Sequence, residues 1–238
     1  MKNLIFVILI TLGLTALGQD NQKSIVIEGQ TILNDVLSFD SQYLFPSFIE
    51  GTLLYTDNSR SVGEFNYNLL VDEMHFINKK KTVLAISNLE NISGIILGTR
   101  VFLYLPPYGF MEQLVDGENK LLLKRKTKIS SISQPVGVYG TNPVGTSVKP
   151  VQDFKLFVGA NLKFDANLTQ TIQINYTEHF YLTFNGKLHP FNNVREAEKA
   201  VGKKNKENLN FFLKFEGINF NNLQDLLKVT NWINSNIK

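Results

Sequence analysis

From Ser24 to about Ser130 apolar and polar residues alternate with a period of two, interrupted at short intervals by turn residues. The pattern predicts a run of short antiparallel strands. In FIEGTLLYTDNSRSVGEFNYNLL, residues 48–70, Gly51, Leu53 and Tyr55 share one face, the chain turns at Asp57-Asn58-Ser59, and Phe65, Tyr67 and Leu69 then alternate with Glu64, Asn66 and Asn68. EMHFI, TVLAIS, GIILG, RVFLYL and GFMEQLV follow, and an Asp116-Gly117 turn leads into KLLLKRKTKIS. Strands so closely spaced, each beside its predecessor, form a meander.

The rhythm changes twice more. SQPVGVYGTNPVGTSVKP, residues 133–150, has three prolines, three glycines and no sustained period, which reads as a long loop or linker. Pro135, Pro143 and Pro150 cannot donate to a ladder, and Tyr139 in its middle is either an anchor folded back onto the sheet or an exposed aromatic that contacts a partner. Strand-like FKLFVGANLKF and TQTIQINY come next, and Asn185-Gly186 between HFYLTF and KLHPF signals a type I′ hairpin. Helical spacing closes the chain. Asn193 with Glu196 and Asn221 with Gln224 read as helix starts, Gly217 as a stop, and Leu209, Phe212 and Leu213, then Leu223, Leu226, Leu227, Thr230 and Ile233, as buried stripes. The fold class expected is therefore α+β, an antiparallel β-meander with a small C-terminal helical segment. Its regions are 19–132 (meander), 133–150 (loop or linker) and 151–238 (hairpin plus helices, able to share one domain with 19–132).

The first eighteen residues stand apart. MKNLIFVILITLGLTALGQD has one early cation, Lys2, an apolar run of about a dozen residues, and Ala16 and Gly18 at the −3 and −1 positions before Gln19, the layout of a secretory signal peptide. That run is too short for a permanent transmembrane anchor. The expectation is a periplasmic or secreted protein cleaved near Gln19. With no cysteine, the exported chain has neither disulfide staples nor a site for a lipid anchor, so it depends on its core. A hydrophobic fraction of 43% and 18 Phe supply the material. The formal charge of +3 gives no case for nucleic acid as a partner.

Candidate chemistry is sparse. Asp72, Glu73 and His75 crowd one turn, but D-E-x-H matches no zinc or facial-triad spacing, so Asp72 is expected to serve the turn and His75 to look outward with Glu73, opposite Met74 and Phe76. His179 and His189 are not directly opposed across their hairpin, and a site with Glu178 would need a bulge or a further group. No G-x-S-x-G, phosphate-binding loop, H-E-x-x-H or dinucleotide fingerprint is present. No catalytic residue, cofactor or metal ligand is assigned. Lys199, Lys203, Lys204 and Lys206 read as a solvated basic helix junction, an anionic-ligand patch being the alternative. Lys124, Lys126 and Lys128 share one strand face, which reads as solvated, binding of an anionic surface being the alternative.

GEFNYNLLVDEMHFI with TVLAISNLENISGIILGTRVFLYL after it, LLLKRKTKIS running into VGVYG, and the tail NKENLNFFLKFEGINFNNLQDLLKVTNWIN resemble a group of secreted, uncharacterised proteins of Bacteroidetes-type bacteria. The resemblance implies export and this architecture, and adds nothing on mechanism. Two functional readings follow. The first is a non-enzymatic envelope or extracellular module that binds a protein, peptide or glycan through a sheet face or the 133–150 loop. The second is a hydrolase of envelope or glycan material with carboxylates among Asp72, Glu73, Glu112 and Glu178, recognisable by two acids converging in one concave pocket with a raised pKa.

Overall fold

The computed structural model describes residues 23–27, 37–133, 147–150 and 171–237. Strands β1 (Lys23–Ile27), β2 (Ile49–Tyr55), β3 (Arg60–Asn68), β4 (Glu73–Ile77), β5 (Val83–Ala85), β6 (Ile92–Leu97), β7 (Arg100–Leu105), β8 (Gly109–Val115), β9 (Leu121–Ser133), β10 (Ser147–Pro150), β11 (Thr171–Phe184) and β12 (Lys187–Pro190) form one antiparallel sheet. Its order is β1-β11-β9-β8-β7-β6-β2-β3-β4-β5, with β10 also on β9 and β12 also on β11. A single short turn of helix, α1 (Phe39–Gln42), precedes the meander, and α2 (Val194–Phe215) and α3 (Leu223–Asn236) close the chain. The α+β class and the β-meander are as the alternation predicts.

Between β2 and β9 one step departs from a pure meander; beyond it β11 pairs with both β9 and β1. β6 does not pair with β5, which precedes it, but returns to β2. Residues 86–91 therefore run back across the sheet, fixed at one end by Ile86 N–H donating to the Met74 carbonyl and at the other by Thr56 N–H donating to the Asn91 carbonyl. The return includes a 3₁₀ turn at Leu89–Asn91, which Asn88 enters with a φ of 54°. Asn tolerates this left-handed conformation better than most side chains.

Cross-strand partners share a face, so the register carries one face through Leu53, Ile95 and Phe102, and through Phe65 with Phe76 and Tyr67 with Met74. These residues, with Ile92, Leu97 and Phe110, make the first core cluster. A glycine is required in this layer at Gly51, where a Cβ would stand 2.4 Å from Leu97 Cδ2 and 2.7 Å from the Ile96 carbonyl oxygen. The second cluster lies under the helices, where Leu121, Leu182, Phe184 and Phe191 meet Ala197, Leu209, Leu213, Leu226, Val229 and Ile233.

The helix signals hold with two adjustments. Asn193 caps α2 by accepting from Glu196 N–H, and Glu196 reaches back to Asn192 N–H rather than to the cap residue's own. α3 is capped by Asn222, one residue after the Asn221 expected, through Gln224 and Asp225 N–H. Gly217, at a φ of 61°, ends α2, and Gly202, at 77°, kinks it inside the basic 199–206 stretch that reads as a helix junction. Asn185 and Gly186, at φ of 50° and 70°, form the expected two-residue hairpin turn, with Phe184 facing Lys187.

β9 runs to Ser133 and β10 begins at Ser147, so both ends of the Pro/Gly-rich segment are strand, Ser133 facing Ser147 and Ser130 facing Pro150. Tyr139 and residues 134–146 between them lie outside the described residues, as do the signal-like N-terminus and FKLFVGANLKF.

Candidate functional site

The sheet carries two separate polar features, one buried and one open. Period two in LLLKRKTK puts Leu121, Leu123 and Arg125 on the face that carries Phe102 and Glu112, because Glu112 faces both Phe102 and Leu123 across the ladders. Arg125 is thus held among core residues and needs partners. It has them: its Nη1 lies 2.7 Å from Glu112 Oε2 and its Nε 3.3 Å from Glu178 Oε1, Glu178 being its directly opposed residue on β11. Arg100 donates to the same Glu112 through Nε and Nη2, each at 2.5 Å, and its guanidinium stacks over Phe45 and Phe102. Burial alone would raise the Glu112 pKa, but the Arg100 hydrogen bonds and the Arg125 and Arg100 charges outweigh it and hold the carboxyl below its ordinary value.

The 69–72 turn covers β9 beyond Leu123, the last β9 residue that faces β8. Thr127 Oγ1 donates to the Leu69 carbonyl. Lys124 Nζ donates to Asp72 Oδ1 at 2.6 Å and to the Phe110 carbonyl at 3.1 Å, and Tyr67 O–H donates to the same Asp72 oxygen. Burial first, then the Asp72 charge and hydrogen bond, push the Tyr67 phenol well above its ordinary pKa, against the opposing Arg125 charge. Asp72, at a φ of 61°, forms the reversal as expected and is also an ion-pair partner.

These positions correct two expectations. Lys124 does not share a solvated face with Lys126 and Lys128: it is 3% exposed, while the other two remain exposed. His75 lies on the face opposite Met74 and Phe76, as alternation requires, but that face is covered, so it does not look outward. Tyr43 and Phe48 from the segment before β2 pack there, and the Tyr43 hydroxyl is hydrogen-bonded to His75 Nδ1 at 3.0 Å while Glu73 lies 3.5 Å from Nε2. His75→Ala, expected to be neutral for a surface residue, should instead cost about 1–3 kcal/mol because the Tyr43 hydroxyl loses a buried partner. Urea denaturation measures it, and a change within about 0.5 kcal/mol would place His75 outside the packed layer.

Of the acids considered for hydrolysis, Glu112 and Glu178 meet, but on the Arg125 guanidinium between them and with the Glu112 pKa lowered rather than raised. Asp72 is held by Lys124, Glu73 by His75, and Glu112 and Glu178 by arginines. His179 is opposed to Lys124 and His189 to Leu182, so the two histidines are not paired, and Glu178 points to the other face of β11 from His179. Burial, then the Lys126 charge, lowers the His179 pKa against the pull of Glu196. Among the described residues no group of His, Asp and Glu is placed to hold a metal ion, and no helix is long and apolar enough to cross a membrane.

The open feature is a groove of about 890 Å³ bounded by β2, β3, β4 and the return that leads into β6. Leu53, Phe65, Phe76, Ile86 and Ile92 give it apolar walls continuous with the first core cluster. Ser59, Ser61, Asn78, Ser87, Asn88 and Asn91 line it with neutral polar groups, and Asp57 and Lys79 are its charged residues. Two of these polar groups are already used by their own turns: Asp57 Oδ1 accepts from Ser59 N–H, and Asn78 Oδ1 accepts from Lys80 and Thr82 N–H. The Ser59 hydrogen bonds hold the exposed Asp57 carboxyl below its ordinary pKa, the opposite of what an acid catalyst needs. The sequence reading did not single out this groove, because it exists only where the 86–92 return lies over residues far away in the chain. No family model, curated protein or solved structure matches the chain.

Proposed function

We propose that this protein is an exported, non-enzymatic binding module of the cell envelope or extracellular space, whose ligand seats in the groove formed by β2, β3, β4 and the 86–92 return. The observation that carries the reading is the lining: aromatic and aliphatic walls with hydroxyl and amide groups around them, and one charge of each sign. Pockets of this size and composition suit a neutral ligand with an apolar face and hydrogen-bonding groups. Peptide and glycan chains both carry that chemistry. Binding is favoured over hydrolysis because each of the four acids considered for catalysis is paired with a cation or a histidine, and none of them lines the groove.

Thermal-shift measurements against separate panels of neutral peptides and envelope glycans test this reading. A ligand present at about 100 times its Kd should stabilise the protein by about 2.7 kcal/mol. Ser61→Trp should abolish that stabilisation with the unliganded melting temperature nearly unchanged, because Ser61 is a lining residue that leaves room for the ligand. Stabilisation that survives in Ser61→Trp would move the site elsewhere, and release of shortened glycan would favour the hydrolase. The panel that responds identifies the ligand class.

The export half of the proposal rests on Ala16-Leu17-Gly18. Mass spectrometry of protein from the periplasm or culture medium should find Gln19 at the N-terminus. An exported chain that still begins at Met1 would overturn cleavage at that point.

A further inference from the structure

The helix α2 carries a surface that its own packing does not use. Its inner face is buried through Leu209 and Leu213, yet Phe211 and Phe215 are 74% and 75% exposed, stacked on one another with ring centroids 6.1 Å apart and planes 12° apart. Two large aromatics one helical turn apart, pointing into water from a firmly seated helix, form an apolar patch that a lone exposed side chain does not.

The charge around the patch says what it fits. Lys204 stands seven residues before Phe211 and so lies on the same helical face, and Lys203 and Lys214 flank it; all three are exposed. Of the acids nearby, Glu198 is engaged by Lys206 at 2.9 Å and Glu216 by Lys228, which leaves Glu207 as the carboxylate on this face. A second copy docked through the same patch by a two-fold axis would bring this lysine excess against itself. A flat anionic surface answers both features: lysines meet the headgroups, and the two rings enter the interface between headgroups and acyl chains. We infer that the Phe211–Phe215 face of α2 is a docking surface for an anionic lipid bilayer.

The absence of cysteine makes a direct test available. Asn208→Cys, on the same exposed face and carrying the fluorophore NBD, should shift to the blue and brighten when the full chain meets vesicles of phosphatidylcholine and phosphatidylglycerol at 3:1, and not with phosphatidylcholine alone. The local readout makes the result independent of any membrane affinity of residues 4–17. In that background Phe211→Ser with Phe215→Ser, or Lys203→Glu with Lys204→Glu, should weaken the apparent partition at least about tenfold. Circular dichroism should show the fold unchanged, since these side chains are exposed. Three results would overturn the inference: no spectral change with anionic vesicles, an equal change with neutral ones, or a change that follows protein concentration without lipid, which would assign the face to a second copy. A spectral change that persists in both double variants would overturn it as well.

Discussion

Glu112→Ala is expected to lower the free energy of unfolding by about 3–5 kcal/mol, among the largest effects available at a single position. The carboxylate is 7% exposed and takes hydrogen bonds from Arg100 and a close ion pair from Arg125, whose side chains are 30% and 15% exposed. Removing it leaves two guanidiniums facing each other in the wall of the core, with Glu178 as the remaining acid beside Arg125. The same arrangement has a pH signature. Because the folded pKa of Glu112 is depressed, its contribution to stability is fully present above the ordinary carboxylate range and is lost as pH falls through the lower folded value. Urea melts at neutral and acid pH should therefore show a stability gap between wild type and Glu112→Ala that narrows on the acid side. A variant as stable as wild type at neutral pH would mean that the ion cluster contributes nothing to holding β7, β8, β9 and β11 together.

Lys124→Ala should cost a similar amount, about 3 kcal/mol or more. Its ammonium is the cation beside Asp72, to which the Tyr67 hydroxyl also donates, and it ties the Phe110 carbonyl to the same point. Without it, the Asp72 carboxylate keeps only part of its compensation, and the 69–72 turn loses a tether to β9. Lys126→Ala and Lys128→Ala, on the exposed run of the same strand, should each stay within about 0.5 kcal/mol. Urea denaturation of the three single variants decides the matter. Equal effects at all three would return Lys124 to the solvated face that the strand alternation alone suggests.

That contrast shows how much the sequence discloses. Alternation identifies which residues share a face, and it did so correctly for Phe65, Tyr67, Met74 and Phe76. It does not say whether the opposite face is covered. His75 and Lys124 are both on faces that look polar in their own strands, and both are buried because distant pieces of chain, Tyr43 before β2 and the 69–72 turn, lie over them. Arg125 could have been found: it follows Leu121 and Leu123 at period two, and a cation on the core face implies an acid waiting for it. Turns and caps were legible because Asn185-Gly186, Gly217 and Asn193 act on their immediate neighbours. The groove was not legible, since its walls, Phe65 and Phe76 on one side and Ile86 and Ile92 on the other, meet only through the return of β6 to β2. Such long-range pairing leaves no local pattern in the chain.

The central claim, a neutral ligand held in the β2–β4 groove, is tested most directly by an NMR titration of isotope-labelled protein with the peptide or glycan that stabilises it. Backbone amide shifts should move at Gly63, Phe65, Phe76, Ser87 and Asn88 and stay still at Arg125, Glu178 and His179. Shifts centred on those last three residues, with Gly63 and Asn88 unmoved, would contradict the account.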